Sequence, residues 1–482
     1  MQLSQLLKPW IDTDGVDCVV ADIKNDSRQV QPGDLFIAYP GAAADGRLFI
    51  EKAVASGAAA VVYEPEQMPL GCILPNNTVP CMAISHLTEQ LPEIAQRFYH
   101  NPSHFLVVTG VTGTNGKTSI AYQLAQAHSL LQQKAAYIGT IGQGEVHHLK
   151  PQDNTTPDVL CVQRLLQQYQ QQGIKQVCME VSSHALNQHR VDGVEFRQAI
   201  FTNLTLDHLD YHKTMEAYAA AKAQLFSNPH LDYAIINNDD AYQAIMIDAV
   251  TPGVRQITYG LADGCDVRAI EWSMDIDGTL LQIVSPWGEH PLRIKALGQF
   301  NIYNSLAVFS SLMVSGYSVN AVIDVMAQLN AAPGRMEIVA TAPYVLVDYA
   351  HTPDALENVL ITLQQLKKGA LWVIFGCGGD RDKSKRPIMG KVAALYADKV
   401  VVTSDNPRSE DPSQIINEIV LGIPPSTEIT RLINREDAIA YAINNADADD
   451  IILIAGKGHE AYQQIGTEKH AFSDQDVVKR LR

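Results

Sequence analysis

The sequence lacks the signals of a secreted, membrane-bound or nucleic-acid-binding protein. No apolar run reaches the ~20 residues that span a bilayer, and the first residues do not have the layout of a signal peptide. The seven cysteines are odd in number and include no Cys-x-x-Cys pair, which indicates reduced, mostly buried thiols. A formal net charge of −17 argues against a surface for nucleic acid. We therefore expect a cytoplasmic protein that neither inserts into membranes nor binds nucleic acid.

Residues 110–118 have the composition of a phosphate-binding loop. An apolar, β-branched run over 104–109 predicts a strand before the loop, and alanines and leucines at helical spacing predict a helix over 119–131. In that context backbone N–H groups and the helix N-terminus face phosphate oxygens. Lys117 is predicted to reach the β- and γ-phosphates, and Thr118 to bind Mg²⁺. Although Val111 stands where a glycine is usual, nucleotide binding is favoured over a glycine-rich turn that binds nothing.

The pattern of hydrophobic runs predicts three α/β domains. Residues 1–87 predict a small mixed domain with strands over 18–23, 35–38 and 59–63. Residues 88–331 alternate strands and helices around the loop, which predicts a mostly parallel sheet with an antiparallel excursion over 265–296. Residues 332–335 are a candidate hinge, and residues 332–482 predict a second, Rossmann-like α/β domain. Its strands are predicted over 344–347, 371–375, 399–403 and 451–455.

Polar clusters follow several predicted strands of the central region. Glu180 closes an apolar strand, which is where an acid that holds Mg²⁺ lies in many nucleotide-binding proteins. Residues 207–212 contain two acids and two histidines, a composition rich in metal ligands. Each of these alone is more typical of an N-cap or a surface residue, and the residues leave the two readings equally open. Lys222 lies among alanines in a predicted helix, where a solvated lysine is the ordinary expectation.

The last third of the chain places more polar residues after its predicted strands. Asn301 and Asn304 share one face of a predicted helix. Charged or glycine-bearing loops follow the four C-terminal strands, at 348–354, 376–387, 405–408 and 456–460. Because the carboxyl ends of parallel strands meet at one edge, these loops predict a shared cleft.

The ordered set of motifs resembles the Mur ligase family over nearly the whole chain. The matching segments are 26–28, 113–118, 154–157, 180–184, 207–210, Asn301 with Asn304, 333–335, 348–351 and 405–408. In that family the shifted glycine spacing of the loop is ordinary. The resemblance implies that 1–87 hold the UDP end of UDP-MurNAc-L-Ala-D-Glu, that 88–331 bind ATP, and that 332–482 bring the incoming amino acid.

The resemblance also implies two sets of substrate-binding residues. Positions associated with ATP are Gly113, Thr114, Asn115, Gly116, Lys117, Thr118, Asn301, Asn304, Arg335, Asp348 and His351. Positions associated with the nucleotide sugar and its peptide are Ser27, Asn154, Thr155, Thr156, Ser182, Gln188 and Arg190.

Two Mg²⁺ ions are implied as cofactors by the same resemblance. Thr118 and Glu180 would bind one ion, and Glu180, His208 and Lys222 would serve a second, with Lys222 carbamylated. Carbamylation by CO₂ converts a cation into an anionic oxygen ligand, which suits a hard metal ion. Lys117, Glu180, His208 and Lys222 are accordingly the expected catalytic residues.

The implied reaction joins an amino acid to a carboxylate activated by ATP. The D-Glu carboxylate would attack the γ-phosphorus, and an amine would then displace phosphate from the acyl phosphate. Arg408 matches family members that add meso-2,6-diaminopimelate, because a guanidinium can hold its second carboxylate bidentately and lysine has none. Glu460 suits the distal ammonium. The other matching positions are Arg381, Asp405, Asn406 and Gly456.

Four alternatives remain at this point. A lysine-adding ligase of the same fold would lack Arg408, and a folylpolyglutamate synthetase would lack the 405–408 motif and the first domain. A P-loop kinase would lack the amino-acid motif, and a non-catalytic nucleotide-binding module need not keep Lys117, Glu180, His208 and Lys222 together. We expect the protein to act as a monomer on ATP, UDP-MurNAc-L-Ala-D-Glu and diaminopimelate.

Overall fold

The computed structural model describes residues 1–13, 15–41, 44–75 and 79–482. They divide into two compact units. Unit 1 comprises Met1–Lys117, Gln132–Ala234 and Ala241–Gln256, and unit 2 comprises Thr118–Leu131, Ile235–Asp240 and Ile257–Arg482. Both units mix helices with parallel-rich sheets, so the predicted α/β class is confirmed. The three domain boundaries stay a prediction. Among the helices of the described ranges, none has the length and apolar character to cross a membrane.

The first part of unit 1 is a small parallel sheet with helices on its faces. Its strands pair in the order β1-β2-β3-β4. A core that includes Leu35 and Val62 packs against the helices on one face. The elements are α1 (Leu3–Leu7), β1 (Ile23–Lys24), β2 (Leu35–Ala38), α2 (Ile50–Ala55), β3 (Ala60–Tyr63), β4 (Cys81–Ala83) and α3 (Leu87–Phe98).

The strand predicted over 18–23 is wrong except at its end. Only β1 is a strand, and before it Val19 forms a single isolated bridge with Gln2. The backbone N–H of Val20 donates to the carbonyl of Met1, and that of Ala21 donates to Gly33. The segment therefore divides its hydrogen bonds between two remote partners and does not join one continuous ladder.

The rest of unit 1 surrounds a parallel sheet in the order β9-β5-β8-β6, with β7 antiparallel at the edge. The sheet strands are buried hydrophobic runs, as expected when helices cover both faces. The elements are β5 (Val107–Thr112), α4 (Lys117–Leu130), β6 (Ala135–Gly139), β7 (Gly142–Gly144), α5 (Val159–Gln171), β8 (Gln176–Glu180), α6 (Ser183–Asn187), β9 (Phe196–Phe201), α7 (Leu209–His212), α8 (Met215–Ala223), β10 (Tyr233–Asn237), α9 (Gln243–Asp248) and β11 (Arg255–Gly260). Helix α4 after Lys117, and parts of β10 and β11, belong to unit 2.

The strand before the phosphate loop lies three residues later than predicted. Residues Pro102–Phe105 form a 3-10 turn, and β5 extends to Thr112. Gly110 is therefore a strand residue, and a Cβ there would lie 2.9 Å from the ring of Phe196. The glycine at 110 therefore allows close packing between β5 and the neighbouring β9.

Unit 2 contains the predicted antiparallel excursion. Strands β12 (Val267–Asp275), β13 (Gly278–Ser285) and β14 (Gly288–Ile294) pair in antiparallel register. Helices α10 (Gln299–Val314) and α11 (Val319–Met326) follow.

The C-terminal part of unit 2 is a six-stranded sheet in the order β15-β16-β20-β17-β18-β19. The four strands predicted there are confirmed, and β16, β20, β17 and β18 run parallel. One face packs on helices α12 to α14 and the other on α15 and α16. The elements are β15 (Glu337–Thr341), β16 (Tyr344–Asp348), α12 (Pro353–Leu366), β17 (Leu371–Phe375), α13 (Lys385–Tyr396), β18 (Lys399–Thr403), α14 (Pro412–Val420), β19 (Ile429–Leu432), α15 (Arg435–Asn445), β20 (Ile451–Ala455), β21 (Tyr462–Ile465), β22 (Glu468–Ala471) and α16 (Asp474–Leu481).

Candidate active site

The phosphate loop joins β5 to α4, as its sequence predicts. Lys117 is the first residue of α4, and its Nζ donates to the carbonyl oxygens of Gly113 and Thr114, both at 2.8 Å. The segment after β9 fastens the other side of the loop. Asn203 Oδ1 accepts from the N–H of Asn115 at 3.0 Å, and Thr202 Oγ1 donates to the Asn115 carbonyl at 2.6 Å. The loop is thus anchored by Lys117 on one side and by Thr202 and Asn203 on the other.

Glu180 is buried at the carboxyl end of β8, the strand beside β5. Its Oε1 accepts hydrogen bonds from the Tyr137 hydroxyl and, at 2.8 Å, from the N–H of Thr140. Its Oε2 accepts from the Thr140 hydroxyl at 3.1 Å. The Thr140 hydroxyl also contacts that of Thr155 at 3.0 Å. These bonds fix the orientation of the Glu180 carboxylate, whose oxygens are of the type that Mg²⁺ prefers.

Lys222 is buried on α8 and approaches the phosphate loop. Its Nζ donates to the Gly113 carbonyl at 2.8 Å and lies 4.4 Å from the centre of the Tyr218 ring. Burial, assisted by the charge of Lys117, lowers the pKa of Lys222 well below its usual value. A lysine held in its neutral form is a nucleophile, which is the form that reacts with CO₂. The solvated lysine that the residues alone favoured is wrong for this position.

The 207–212 segment brings imidazoles to the same region of unit 1. The ring of His208 lies 4.9 Å from that of His184 and 5.9 Å from that of Tyr218. His212 Nε2 lies 2.9 Å from Ser183 Oγ, and burial lowers the pKa of His212 to about 4. Across the described ranges, no three His, Cys, Asp or Glu side chains converge as a ready metal site. A metal ion here would need additional ligands from other groups, such as the oxygen of a hydroxyl, a carbamate or a phosphate.

Four of the seven residues predicted for the nucleotide-sugar peptide, Thr156, Ser182, Gln188 and Arg190, form a second cluster in unit 1. Arg190 donates to the Thr156 carbonyl at 3.1 Å and to Gln188 Oε1 at 2.5 Å. The Thr156 hydroxyl accepts from the N–H of Ser182 at 3.1 Å. Asn154 is exposed nearby in sequence, and its carbonyl accepts from Gln152. Ser27 is buried in the turn after β1, and no contact of its side chain with this cluster is observed.

Unit 2 brings together part of the predicted ATP set. Arg335 Nη2 lies 3.3 Å from the Thr118 hydroxyl, and its guanidinium stacks 4.4 Å from the ring centre of Tyr349. Asp348 is buried and accepts from the N–H groups of Met336 and Ala350, each at 2.7 Å. Burial raises the pKa of the Asp348 carboxyl.

Three further residues of the predicted ATP set belong to unit 2: Asn301 and Asn304 lie on α10, and the ring of His351 lies 4.7 Å from that of Tyr349. Asn304 Nδ2 donates to Asn301 Oδ1 at 2.9 Å on α10, as their shared helix face predicts. His351 is exposed in the loop after β16, and its carbonyl accepts from Lys385 at 3.0 Å.

The residues predicted for the amino acid converge at one edge of the C-terminal sheet. Asn406 Nδ2 donates to Glu460 Oε2 at 2.8 Å, which joins the loops after β18 and β20. Arg408 Nη1 donates to the Gly379 carbonyl at 2.7 Å, which adds the loop after β17. Gly456 passes so close to Asp405 that a Cβ would lie 2.7 Å from Oδ2. We call Arg381, Asp405, Asn406, Arg408, Gly456, Lys457 and Glu460 the amino-acid cluster.

Sequence reasoning missed two residues of these sites. Lys457 is fully buried inside the amino-acid cluster, with its Nζ 2.9 Å from Glu460 Oε2. Tyr137 donates to Glu180 from the neighbouring β6. Lys457 lies in a loop that the sequence already predicts to be part of a site, and Tyr137 lies in a strand. Neither the residue type nor its spacing from other residues indicates that Lys457 contacts Glu460 or that Tyr137 contacts Glu180.

Comparison with known proteins assigns the family. Three family models match in order: "Mur ligase family, catalytic domain" over 20–99, "Mur ligase middle domain" over 111–312, and "Mur ligase, glutamate ligase domain" over 334–458. A UDP-N-acetylmuramoyl-L-alanyl-D-glutamate–2,6-diaminopimelate ligase of Neisseria meningitidis serogroup A is 47% identical over 463 residues, 95% of this chain and 93% of the relative. The chain belongs to the Mur ligase family.

Solved structures agree with this assignment. A UDP-N-acetylmuramoyl-L-alanyl-D-glutamate–2,6-diaminopimelate ligase is similar to this Mur ligase with a TM-score of 0.70 and 37% identity, over 96% of this chain and 94% of the other. MurF from Acinetobacter baumannii is similar with a TM-score of 0.68 over 99% and 97% of the two chains. At 18% identity, the latter shows a shared fold alone. The resemblance to the Mur ligase family that the sequence motifs indicated is therefore confirmed.

Proposed function

We propose that this Mur ligase adds meso-2,6-diaminopimelate to the D-Glu carboxylate of UDP-MurNAc-L-Ala-D-Glu, with ATP as co-substrate. The product is the UDP-MurNAc-tripeptide used in peptidoglycan synthesis. The observation that carries this proposal is the amino-acid cluster, where the guanidinium of Arg408 and the carboxylate of Glu460 belong to one linked set of loops. An amino acid whose far end carries a carboxylate and an ammonium has charges opposite to those of Arg408 and Glu460, respectively.

The phosphate loop supports the activation step of this reaction. The D-Glu carboxylate attacks the γ-phosphorus of ATP, the bond to ADP breaks, and an acyl phosphate forms. Lys117, now donating to loop carbonyls, is the cation available to the β- and γ-phosphates. The neutral amine of diaminopimelate then attacks the acyl carbon, phosphate leaves, and loss of one proton from the nitrogen gives the amide. Closure about 332–335 would exclude the water that hydrolyses an acyl phosphate.

We assign the nucleotide sugar and its peptide to a set of residues of which four are linked by hydrogen bonds. Thr156, Ser182, Gln188 and Arg190 are connected by hydrogen bonds, and Thr155 contacts Thr140. Their hydroxyl, amide and guanidinium groups suit a polar, anionic chain. Ser27 and Asn154 complete this set by the family resemblance. ATP would be held by the phosphate loop, Thr118, Asn301, Asn304, Arg335, Asp348 and His351.

Two Mg²⁺ ions are part of the proposal, and the residues present fit them. Glu180 offers a buried, oriented carboxylate, and the lowered pKa of Lys222 favours the neutral amine that CO₂ carbamylates with loss of a proton. Thr118 and Glu180 would hold one ion, and Glu180, His208 and carbamylated Lys222 the other. Bound Mg²⁺ supplies charge neutralisation at the phosphates. We further propose that the enzyme acts as a monomer in the cytoplasm.

The deciding experiment measures inorganic phosphate released from ATP by the purified chain. Release is expected only when UDP-MurNAc-L-Ala-D-Glu and meso-diaminopimelate are both present, with the tripeptide product identified by mass spectrometry. Lys117→Met is the matched control, since it removes the cation of the loop and should abolish release.

The other outcomes separate the alternatives. Release that requires L-lysine in place of diaminopimelate would identify a lysine-adding ligase. Phosphate retained on an acceptor would identify a kinase, and no turnover with any amino acid would indicate a nucleotide-binding module.

A further inference from the structure

Lys457 is a buried cation in the middle of the amino-acid cluster. Its side chain is 0% exposed. Its Nζ donates to Glu460 Oε2 at 2.9 Å and to Asn406 Oδ1 at 3.2 Å. Asn406 Nδ2 donates to the same Glu460 oxygen at 2.8 Å, so the three side chains form a closed triangle. We call Lys457, Asn406 and Glu460 the Lys457 triangle.

The triangle is fixed to its surroundings on two sides. The N–H of Gln464, on β21, donates to Asn406 Oδ1 at 2.9 Å, and the Asn406 carbonyl accepts from the N–H of Gly379 at 2.9 Å. Glu460 is the most exposed member, with 18% of its side chain accessible. A ligand can therefore approach the carboxylate of Glu460, while Lys457 stays behind it.

We propose that Lys457 is a specificity-determining residue. It makes the cluster prefer an amino acid whose far end carries a carboxylate beside its ammonium over one whose far end carries an ammonium alone. This inference rests on the proposed function, because it concerns the amino acid that the cluster receives.

The charges of the cluster give the physical reason. Arg381, Arg408 and Lys457 are positive, and Asp405 and Glu460 are negative, so the cluster carries 3 − 2 = +1. The far end of diaminopimelate carries one charge of each sign, so attraction and repulsion by Lys457 largely cancel. The far end of lysine carries only an ammonium, which Lys457 repels. Two like charges about 6 Å apart at a protein site change binding by about tenfold to a hundredfold.

The test replaces the cation without changing the volume of the side chain. In Lys457→Met, we expect the ratio of kcat/KM for meso-diaminopimelate to that for L-lysine to fall by about tenfold or more. L-Lysine is measured both as a substrate and as a competitive inhibitor, so that a ratio of KM to Ki is obtained even when its turnover is slow. KM for ATP should stay within about twofold of the wild type.

The chain offers a matched control in Lys469. Its Nζ also lies over the ring of Tyr462, at 4.4 Å against 5.5 Å for Lys457, but Lys469 is exposed and no hydrogen bond to Glu460 is observed for it. Lys469→Met should leave the ratio unchanged. A role of Lys457 in folding alone would lower kcat/KM for both amino acids together and keep their ratio.

Failure of this inference can be told from failure of the proposed function. The wild type must first release phosphate with diaminopimelate, and if it does not, the proposed function is wrong. If it does, an unchanged ratio in a folded Lys457→Met variant overturns the inference. Should that variant melt below the assay temperature, Lys457→Gln removes the charge and keeps a donor for Asn406, and the same ratio decides.

Discussion

At the scale of single residues, Arg408 shows how the site uses an unusual backbone. Its φ of +51° is uncommon for a residue with a side chain. Two backbone hydrogen bonds hold this conformation: the N–H of Arg408 donates to the Gln464 carbonyl, and the Arg408 carbonyl accepts from the N–H of Gly466. The guanidinium is thereby aimed across the loop after β17, where Nη1 reaches the Gly379 carbonyl.

Arg408→Ala should lose diaminopimelate addition and keep the activation step. We expect kcat/KM for diaminopimelate to fall by about a hundredfold or more, because the second carboxylate loses its bidentate partner. Acyl phosphate should still form from ATP and UDP-MurNAc-L-Ala-D-Glu, detected by trapping with hydroxylamine. Arg408→Lys keeps the charge without the planar fork and should recover only part of the loss. Wild-type kinetics for diaminopimelate in Arg408→Ala would contradict the assignment.

At the scale of elements, a buried arginine joins two loops of the amino-acid cluster. Arg386, on α13, pairs with both oxygens of Glu410 at 2.9 and 3.0 Å and with Glu418 at 2.7 Å. It also donates to the Gly378 carbonyl at 3.2 Å. Hydrogen bonds from Arg386 and Lys383 hold the pKa of Glu410 well below its usual value. The loops after β17 and β18 are therefore positioned by a shared ion pair.

Arg386→Met should disturb both loops at once. Removing Arg386 leaves Glu418 without its cation and Glu410 with Lys383 alone, and we expect a loss of about 2 kcal/mol in the free energy of unfolding. KM for diaminopimelate should rise, and KM for ATP should change little. Lys399→Met is the control, because its pair with Glu428 is exposed and such pairs add little to stability. Equal effects of the two substitutions on KM for diaminopimelate would contradict the positioning role.

The elements also show what sequence could and could not predict. The strand predictions at 371–375, 399–403 and 451–455 match the structure because a parallel strand covered on both faces is a continuous apolar run. The hairpin of β21 and β22 was missed, since all four residues of β22 are exposed and carry no apolar signal. That the loops after the C-terminal strands lie at one edge of the sheet could be predicted from the parallel topology alone. The pairing of Lys457 with Asn406 could not be predicted, because the two residues lie in different loops, 51 residues apart in sequence.

At the scale of the whole molecule, each unit contains a histidine whose protonation opposes folding. In unit 1 burial lowers the pKa of His212 to about 4. In unit 2 burial lowers the pKa of His128 to about 4, and its Nδ1 lies 2.9 Å from the hydroxyl of Tyr317. An unfolded histidine has a pKa of about 6.5, so below that pH the unfolded chain binds more protons than the folded one. Stability is therefore full above about pH 7 and falls as the pH drops toward 4.

His128→Gln should flatten this dependence, because the amide can bond to Tyr317 and does not titrate. Between pH 7 and pH 5, one histidine shifted from 6.5 to about 4 removes about 2 kcal/mol of unfolding free energy in the wild type. Urea unfolding followed by tryptophan fluorescence at the two pH values should show a loss smaller by that amount in the variant. His148→Gln, which replaces an exposed histidine of the same unit as His212, should keep the wild-type loss. An unchanged pH dependence in His128→Gln would mean that the acid sensitivity of the molecule arises from other groups.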